Sequence, residues 1–175
     1  MTTVADQVQR TLRAIPDYPK PGILFQDITP VLADGHLLRE VVADMCGPFE
    51  GKGVTHVMGI EARGFILGGA IATALGTGFV PARKPGKLPW EKVAEAYDLE
   101  YGSDSLEAHR DALVRGSRVL VVDDVLATGG TARAAGQLVR GFGAELIGWS
   151  FLLEIGVLGG RERLAGATCH AVARC

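Results

Sequence analysis

Hydrophobic positions along the chain fall into short, almost uniformly apolar runs, separated by segments in which apolar residues recur at helical spacing. The runs that predict β-strands are THVMGI, GFVPAR, RVLVVDD, ELIGWSFLLEI and ATCHAVAR. The segments that predict helices are HLLREVVADMCGPF, GFILGGAIATALG and GTARAAGQLVRGFG. Apolar strands that alternate with helices indicate a parallel sheet covered on both faces. The pattern therefore predicts an α/β fold in one domain over residues 1–175.

Two segments do not follow this alternation. Residues 4–15 have the spacing of a short amphipathic helix, but DYPKPGILFQDITP follows, and its prolines favour an extended, turn-rich path. Residues 83–105 are polar, are broken by proline and glycine, and are too long for an ordinary connection. Long loops in compact domains are usually functional or disordered. We interpret residues 83–105 as an active-site lid.

Charge and cysteine usage narrow the range of partners. A net charge of −2 gives no overall positive field for nucleic acid or an anionic membrane, so a polyanion would need a local basic cluster. The three cysteines have no CxxC spacing, which fits free thiols in a reducing compartment. Neither a signal peptide nor a membrane span is indicated. We expect a cytoplasmic protein that binds small molecules.

The stretch VLVVDDVLATGGT, residues 119–131, carries the clearest chemical signal. In an open parallel sheet, ligands bind beyond the carboxyl ends of strands, where Asp123 and Asp124 can accept hydrogen bonds from two vicinal hydroxyls. The small residues that follow can wrap their amides around a phosphate at a helix start. They are Ala127, Thr128, Gly129, Gly130 and Thr131. A pentose 5-phosphate satisfies both halves, and an ordinary strand-to-helix turn with an acidic cap is the alternative.

Other phosphate-binding patterns fit the chain poorly. No lysine follows the glycine pair as the Walker pattern requires, and no strand is followed by GxGxxG. NTPase and dinucleotide-binding functions are therefore disfavoured.

This stretch resembles the phosphoribosyl diphosphate (PRPP) signature of the type I phosphoribosyltransferases. Three further stretches are similar to the adenine-specific members of that family: YPKPGILFQDITP, GIEARGF, and the segment from RKPGKLPW to LEYG. The resemblance implies a central, mainly parallel sheet flanked by helices, a small N-terminal hood over about residues 1–35 that carries the base pocket, and a flexible lid. It also implies purine salvage, in which the 5-phosphoribosyl group of PRPP passes to adenine and gives AMP and pyrophosphate.

The resemblance assigns roles to residues of two loops. Arg63 in GIEARGF would help to hold pyrophosphate, in a loop with a non-proline cis peptide near Glu61 and Ala62. A surface ion pair between Arg63 and Glu61 is the alternative. In LEYG, Glu100 would be the acid/base residue beside the purine, and Tyr101 would help to close the site.

The remaining site residues flank the lid and the base. Arg83, Lys84 and Lys87 give local positive charge, which would stabilise the departing diphosphate, with a solvated basic turn as the alternative. Adenine is implied to lie against Leu24 and Phe25, where main-chain groups would read its 6-amino group and N1. An ordinary core position is the alternative for Phe25.

Several expectations concern what the protein needs and what else it could be. The histidines have no metal-binding spacing, so we expect no direct protein ligand to metal and Mg²⁺ carried by PRPP. The resemblance also implies a homodimer, and Gln26 departs from the arginine usual in adenine-specific members. The alternatives are a phosphoribosyltransferase for another purine, such as xanthine or guanine, and a non-catalytic regulator that senses PRPP.

Overall fold

Helices and strands alternate along most of the chain, as the hydrophobic pattern predicts. The computed structural model describes residues 2–99 and 102–175. The helices are α1 (Val4–Thr11), α2 (Thr29–Ala33), α3 (Gly35–Cys46), α4 (Gly64–Leu75) and α5 (Gly130–Gly141). The strands are β1 (Arg13–Pro16), β2 (Leu24–Asp27), β3 (His56–Ile60), β4 (Gly78–Ala82), β5 (Lys92–Leu99), β6 (Gly102–His109), β7 (Arg118–Leu126), β8 (Glu145–Glu154) and β9 (Thr168–Arg174). Short 3₁₀ turns occupy Gly47–Phe49, Gly156–Leu158 and Gly160–Arg163.

A parallel sheet with the strand order β4-β3-β7-β8-β9 forms the centre of the molecule. Its middle strand β7 is apolar on both faces, and each face packs in a separate hydrophobic core. Val119 and Val121 lie in a core shared with α5, whereas Leu120 and Val122 lie in a core shared with α3 and α4. The predicted parallel α/β sheet is confirmed.

The N-terminal helix is shorter than its apolar spacing predicts. It begins with a capping box, in which Thr3 and Asp6 each accept a hydrogen bond from the other's backbone amide. It ends at Thr11, and the next residues turn into β1, which pairs antiparallel with β2. Pairing with a partner strand thus overrides the local helical spacing between residues 12 and 15.

Most of the segment interpreted as a lid is an antiparallel ribbon rather than a loop. Strands β5 and β6 pair from Lys92 opposite His109 to Leu99 opposite Gly102. Tyr97, Leu106 and Ala108 belong to the core that includes α5, so the ribbon has one apolar face. Packing of these three side chains against the core therefore stabilises strands in a segment whose polar composition suggested a loop.

No helix in the described part of the chain combines the length and the apolar character that crossing a membrane requires.

Candidate active site

Two acids lie near the carboxyl end of the central strand. Strand β7 continues past Asp124 to Leu126, because Val125 and Leu126 pair with β8. Asp124 is buried and accepts a hydrogen bond from Arg63 Nε, while Asp123 Oδ1 accepts one from the Asp124 amide at 2.8 Å. The ion pair therefore joins two residues that the sequence assigned to the same site.

The environment of the acid pair changes the pKa of Asp123. Loss of solvent raises the pKa of Asp123 well above its usual value, and the neighbouring charge of Asp124 raises it further. Arg63 acts in the opposite direction. A ligand that donates hydrogen bonds would relieve this unfavourable arrangement, and vicinal hydroxyls are such donors.

The loop between β3 and α4 holds Arg63 beside β7. The Glu61–Ala62 peptide is cis, as the resemblance implies. A Cβ added at Gly64 would lie 2.8 Å from Asp123 Oδ1 and 3.0 Å from the Val122 carbonyl oxygen, so glycine permits this close approach. Arg63 pairs with Asp124 rather than with Glu61, and the alternative of a surface Arg63–Glu61 pair is therefore wrong.

The turn from β7 into α5 has the properties of a phosphate cradle. Gly129 has a φ of +81°, which glycine adopts without strain, and α5 begins at Gly130. No side chain caps the helix and its first turn holds no acid, which contradicts the alternative of an acidic cap. Among described residues, no backbone carbonyl accepts a hydrogen bond from the amides of residues 128–131. These donors can receive an anion at the positive end of α5.

The basic residues at the base of the lid contact acids. Arg83 Nη2 lies 3.1 Å from Glu61 Oε1 and Lys84 Nζ pairs with Asp104, so the alternative of a solvated basic turn fails for both. Burial lowers the pKa of Lys84, but hydrogen bonds to Asp104 and Tyr97 outweigh it and raise the pKa overall. The same hydrogen bond from Lys84 lowers the pKa of Asp104.

The expected base segment reaches the same edge through the β1–β2 hairpin. The Phe25 ring lies 5.2 Å from the ring of Tyr18 and 5.7 Å from the Arg63 guanidinium. It belongs to neither hydrophobic core, so the core alternative for Phe25 is wrong. Leu24 is exposed. The Phe25 ring, which is outside both cores, leaves aromatic surface on which a planar base can stack.

The predicted lid residues Glu100 and Tyr101 lie outside the described residues. They connect β5 to β6, whose ends at Leu99 and Gly102 are described.

Some site residues were not predicted from the sequence. Asp104 and Tyr97 bind Lys84 across the lid ribbon, and Gly64 allows the loop of Arg63 to contact β7. The one signal for Tyr97 is its place as a large aromatic residue in a polar segment. Asp104 has no local signal, because its role depends on a lysine twenty residues earlier in the chain.

A surface cavity lies at the opposite end of the central sheet. It has a volume of about 540 Å³ and opens at the amino ends of the strands, where Arg118 pairs with Glu145. It contains none of the predicted site residues. We therefore place the candidate active site at the carboxyl edge, where the convergent polar groups lie.

The sheet, the acid pair and the open cradle together are typical of proteins that bind a phosphorylated sugar. Residues 35–159 match the family model described as the phosphoribosyl transferase domain. The adenine phosphoribosyltransferases of Myxococcus xanthus and Thermobifida fusca are 59% and 52% identical to this chain. The first alignment covers 93% of this chain and 89% of the relative, and the second covers 98% of each.

Solved structures extend the similarity to three dimensions. The adenine phosphoribosyltransferase of Rhodothermus marinus has a TM-score of 0.95 and 49% identity, with 98% of each chain covered. The enzyme of Saccharomyces cerevisiae, complexed with adenine and D-2,5-dideoxy-2,5-imino-altritol 1,6-bisphosphate, has a TM-score of 0.90 and 38% identity over 97% of this chain and 98% of that one. The chain belongs to the adenine phosphoribosyltransferase family, and the type I phosphoribosyltransferase fold predicted from the sequence is confirmed.

Proposed function

We propose that this protein is an enzyme of purine salvage that transfers the 5-phosphoribosyl group from PRPP to adenine, giving AMP and pyrophosphate. The observation that carries the proposal is the Asp123–Asp124 pair beside the open amides of residues 128–131. This edge offers acceptors for sugar hydroxyls and donors for a phosphate side by side. A relative of known structure was solved with adenine and an imino-sugar bisphosphate, and another with 9-deazaadenine.

The acid pair and the cradle would fix the sugar of PRPP. Asp123 and Asp124 would accept hydrogen bonds from the ribose hydroxyls. These bonds would stabilise the charged form of Asp123, which burial destabilises. The amides of residues 128–131 and the hydroxyls of Thr128 and Thr131 donate to the 5-phosphate, together with the backbone of Ala127. Two anchors at opposite ends of the ribose hold C1 toward the base.

Cations would stabilise the departing diphosphate. The bond from C1 to the diphosphate oxygen breaks and its electron pair leaves with pyrophosphate, while a new bond forms from C1 to N9 of adenine. Arg83 and Lys84 follow β4, and Arg63 precedes α4. Lys87 is exposed. The hydrogen bond from Arg83 lowers the pKa of Glu61, and the charge of Lys87 also helps to lower it. We propose that these four cations bind the diphosphate. They would contribute more in the transition state than in the ground state. Glu100 would take the N9 proton, and Tyr101 would help the lid to exclude water.

The β1–β2 hairpin would select the base. Phe25 offers an aromatic face beside Arg63, and the main chain near Leu24 would accept from the 6-amino group and donate to N1. A 6-oxo purine would leave buried polar groups unpaired, which can reduce its use by orders of magnitude. Adenine is therefore the expected base, and xanthine and guanine are not favoured.

The acid pair also suits a magnesium ion that arrives with the substrate. Within the described ranges, no three His, Cys, Asp or Glu side chains cluster to hold a metal. Mg²⁺ keeps several waters and binds phosphate oxygens readily. We propose that PRPP would carry the ion and that Asp123 and Asp124 would be the side chains nearest to its water ligands. The ion would neutralise part of the diphosphate charge.

We further propose a cytoplasmic homodimer with small-molecule substrates. The three cysteines are free, which suits a reducing compartment. Ile66 on α4 and Phe79 on β4 expose apolar surface near an edge of the central sheet. Light scattering of the purified protein would test the dimer.

One assay tests the activity and its main alternatives. Pyrophosphate release is measured after adenine, PRPP and Mg²⁺ are mixed, and the assay is repeated with hypoxanthine, guanine and xanthine. We expect release with adenine at a kcat/KM at least 100-fold above that with the other bases. PRPP binding without release for any base would indicate a regulator, and preferred release with guanine or xanthine would indicate another purine specificity.

A further inference from the structure

The turn that follows β8 lies directly against the cradle. This turn comprises residues 156–163 and includes two 3₁₀ segments. A Cβ added at Gly160 would lie 2.1 Å from the Ala127 carbonyl oxygen and 2.9 Å from the Gly129 nitrogen. A Cβ added at Gly129 would lie 2.5 Å from the Gly160 carbonyl oxygen. The two backbones thus touch with no side chain between them.

This contact fixes the part of the cradle that has most freedom. Gly129 has a positive φ and forms the N-cap of α5, so its conformation determines how the first helical amides are presented. Glycine loses more conformational freedom on ordering than any other residue. The backbone of Gly160 limits that freedom by direct contact.

An ion pair holds the turn in place. Glu154 ends β8, is buried, and lies opposite Leu126, the residue before the cradle. Arg161 Nε lies 3.0 Å from Glu154 Oε2, and Arg161 Nη1 donates to the Cys169 carbonyl oxygen on β9. The hydrogen bond from Arg161 lowers the pKa of Glu154, so the acid stays charged. One guanidinium group therefore connects the turn to two strands of the sheet.

We infer that Gly160 and Arg161 are positioning residues for the 5-phosphate cradle. Gly160 fixes the position of the backbone at Ala127 and Gly129 by direct contact. Arg161 fixes the position of Gly160 through its ion pair with Glu154. Neither side chain is required to touch substrate. The inference rests on the proposed function only in naming the bound phosphate as that of PRPP and AMP.

The first test is Gly160→Ala, with Gly141→Ala as the matched control. Gly141 ends α5, and a Cβ there meets nothing within 4 Å. We expect Gly160→Ala to raise the KM for PRPP at least tenfold and to change the KM for adenine less than twofold, with the control unchanged. Equal KM values for PRPP in wild type and Gly160→Ala, or an equal rise for both substrates, would overturn the inference.

A second variant covers the case in which Gly160→Ala does not fold. Arg161→Lys keeps the positive charge but loses the planar fork that contacts both Glu154 and Cys169. We expect a rise of at least threefold in the KM for PRPP and none for adenine, with Arg140→Lys as a control on exposed α5 surface. An unchanged KM for PRPP would refute the role of Arg161.

Binding measurements separate this inference from the proposed function. The affinities of AMP and adenine are measured by calorimetry for wild type and each variant, without any turnover. Weaker AMP binding with unchanged adenine binding supports the inference even if wild type shows no transferase activity. Equal AMP affinity in wild type and the variants contradicts it, whatever the wild-type activity.

Discussion

Asp123→Asn should make the protein more stable and a weaker binder of PRPP. The asparagine has the same shape, and its oxygen can still accept the 2.8 Å hydrogen bond from the Asp124 amide. The pair between Arg63 and Asp124 is not touched. The substitution therefore removes one desolvated charge and little else.

The sign of the stability change follows from the pKa of Asp123. Burial and the Asp124 charge raise that pKa in the folded state, whereas the unfolded value is about 3.9. The folded protein then binds the proton more tightly, so its stability falls as pH rises above about 4 and through the folded pKa. Wild type and Asp123→Asn should be equally stable near pH 4, and the variant should be more stable at pH 8. Each 1 kcal/mol gained corresponds to about 2–4 °C in Tm for a chain of this size.

The expected loss of PRPP affinity in Asp123→Asn is estimated from the hydrogen bond that the substitution weakens. A hydrogen bond to a charged group contributes about 1.5–3 kcal/mol, so the Kd for PRPP should rise about 10- to 150-fold. Adenine should bind as before, because no hydrogen bond or ion pair among the described residues joins the β1–β2 hairpin to Asp123. Thermal scans from pH 4 to pH 8 and calorimetry with each substrate measure both effects. A lower Tm than wild type at pH 8, or equal weakening for adenine and PRPP, would refute the reasoning.

Three further predictions address the lid and the thiols. Glu100→Ala should lower kcat at least tenfold with a modest change in PRPP binding, because general acid/base help contributes a factor of about 10² to 10⁴, and unchanged steady-state turnover would remove Glu100 from the mechanism. Asp104→Asn should lower the KM for PRPP because it frees Lys84 from a competing charge, and a higher KM would show instead that the pair supports the binding conformation. Burial raises the pKa of Cys46 to about 11. At pH 8 a thiol reagent should therefore modify the exposed Cys175 rapidly and Cys46 only on unfolding. The fast phase of the reaction should be absent in Cys175→Ser, and a fast phase that persists in this variant would contradict the prediction.

The central sheet could be predicted because its signals are local. Residues 119–122 alternate between two cores, and a strand that is apolar on both faces has no other stable environment. The acid pair and the glycine pair follow that strand directly, so their place at the carboxyl edge required only the strand itself.

The parts that sequence reasoning missed depend on contacts between distant segments. The lid forms strands because Tyr97 and Leu106 pack on the core of α5, and polar composition alone gave no sign of that partner. Arg63 forms its ion pair with the distant Asp124 and not with Glu61, its neighbour two residues earlier in the chain, because the loop that carries Arg63 contacts β7. Gly160 was indistinguishable from the other glycines until its contact with the cradle was visible.

The pairing of charges within the site predicts which ligands it will accept. Three cations and three acids neutralise one another, as Arg63 with Asp124, Arg83 with Glu61, and Lys84 with Asp104. A ligand that offers phosphates alone would draw the cations away and leave a buried acid such as Asp124 without a partner, which is costly. A ligand with hydroxyls as well as phosphates satisfies both sets.

PRPP should therefore bind at least tenfold more tightly than inorganic pyrophosphate at equal Mg²⁺, and ribose 5-phosphate should bind measurably by itself. Calorimetry with the three ligands checks this order. The difference between PRPP and pyrophosphate should shrink in Asp123→Asn, since that variant has lost one acceptor for the hydroxyls. A difference that stays the same in the variant would mean that the acids do not bind the sugar, and the assignment of the paired carboxylates would have to be abandoned.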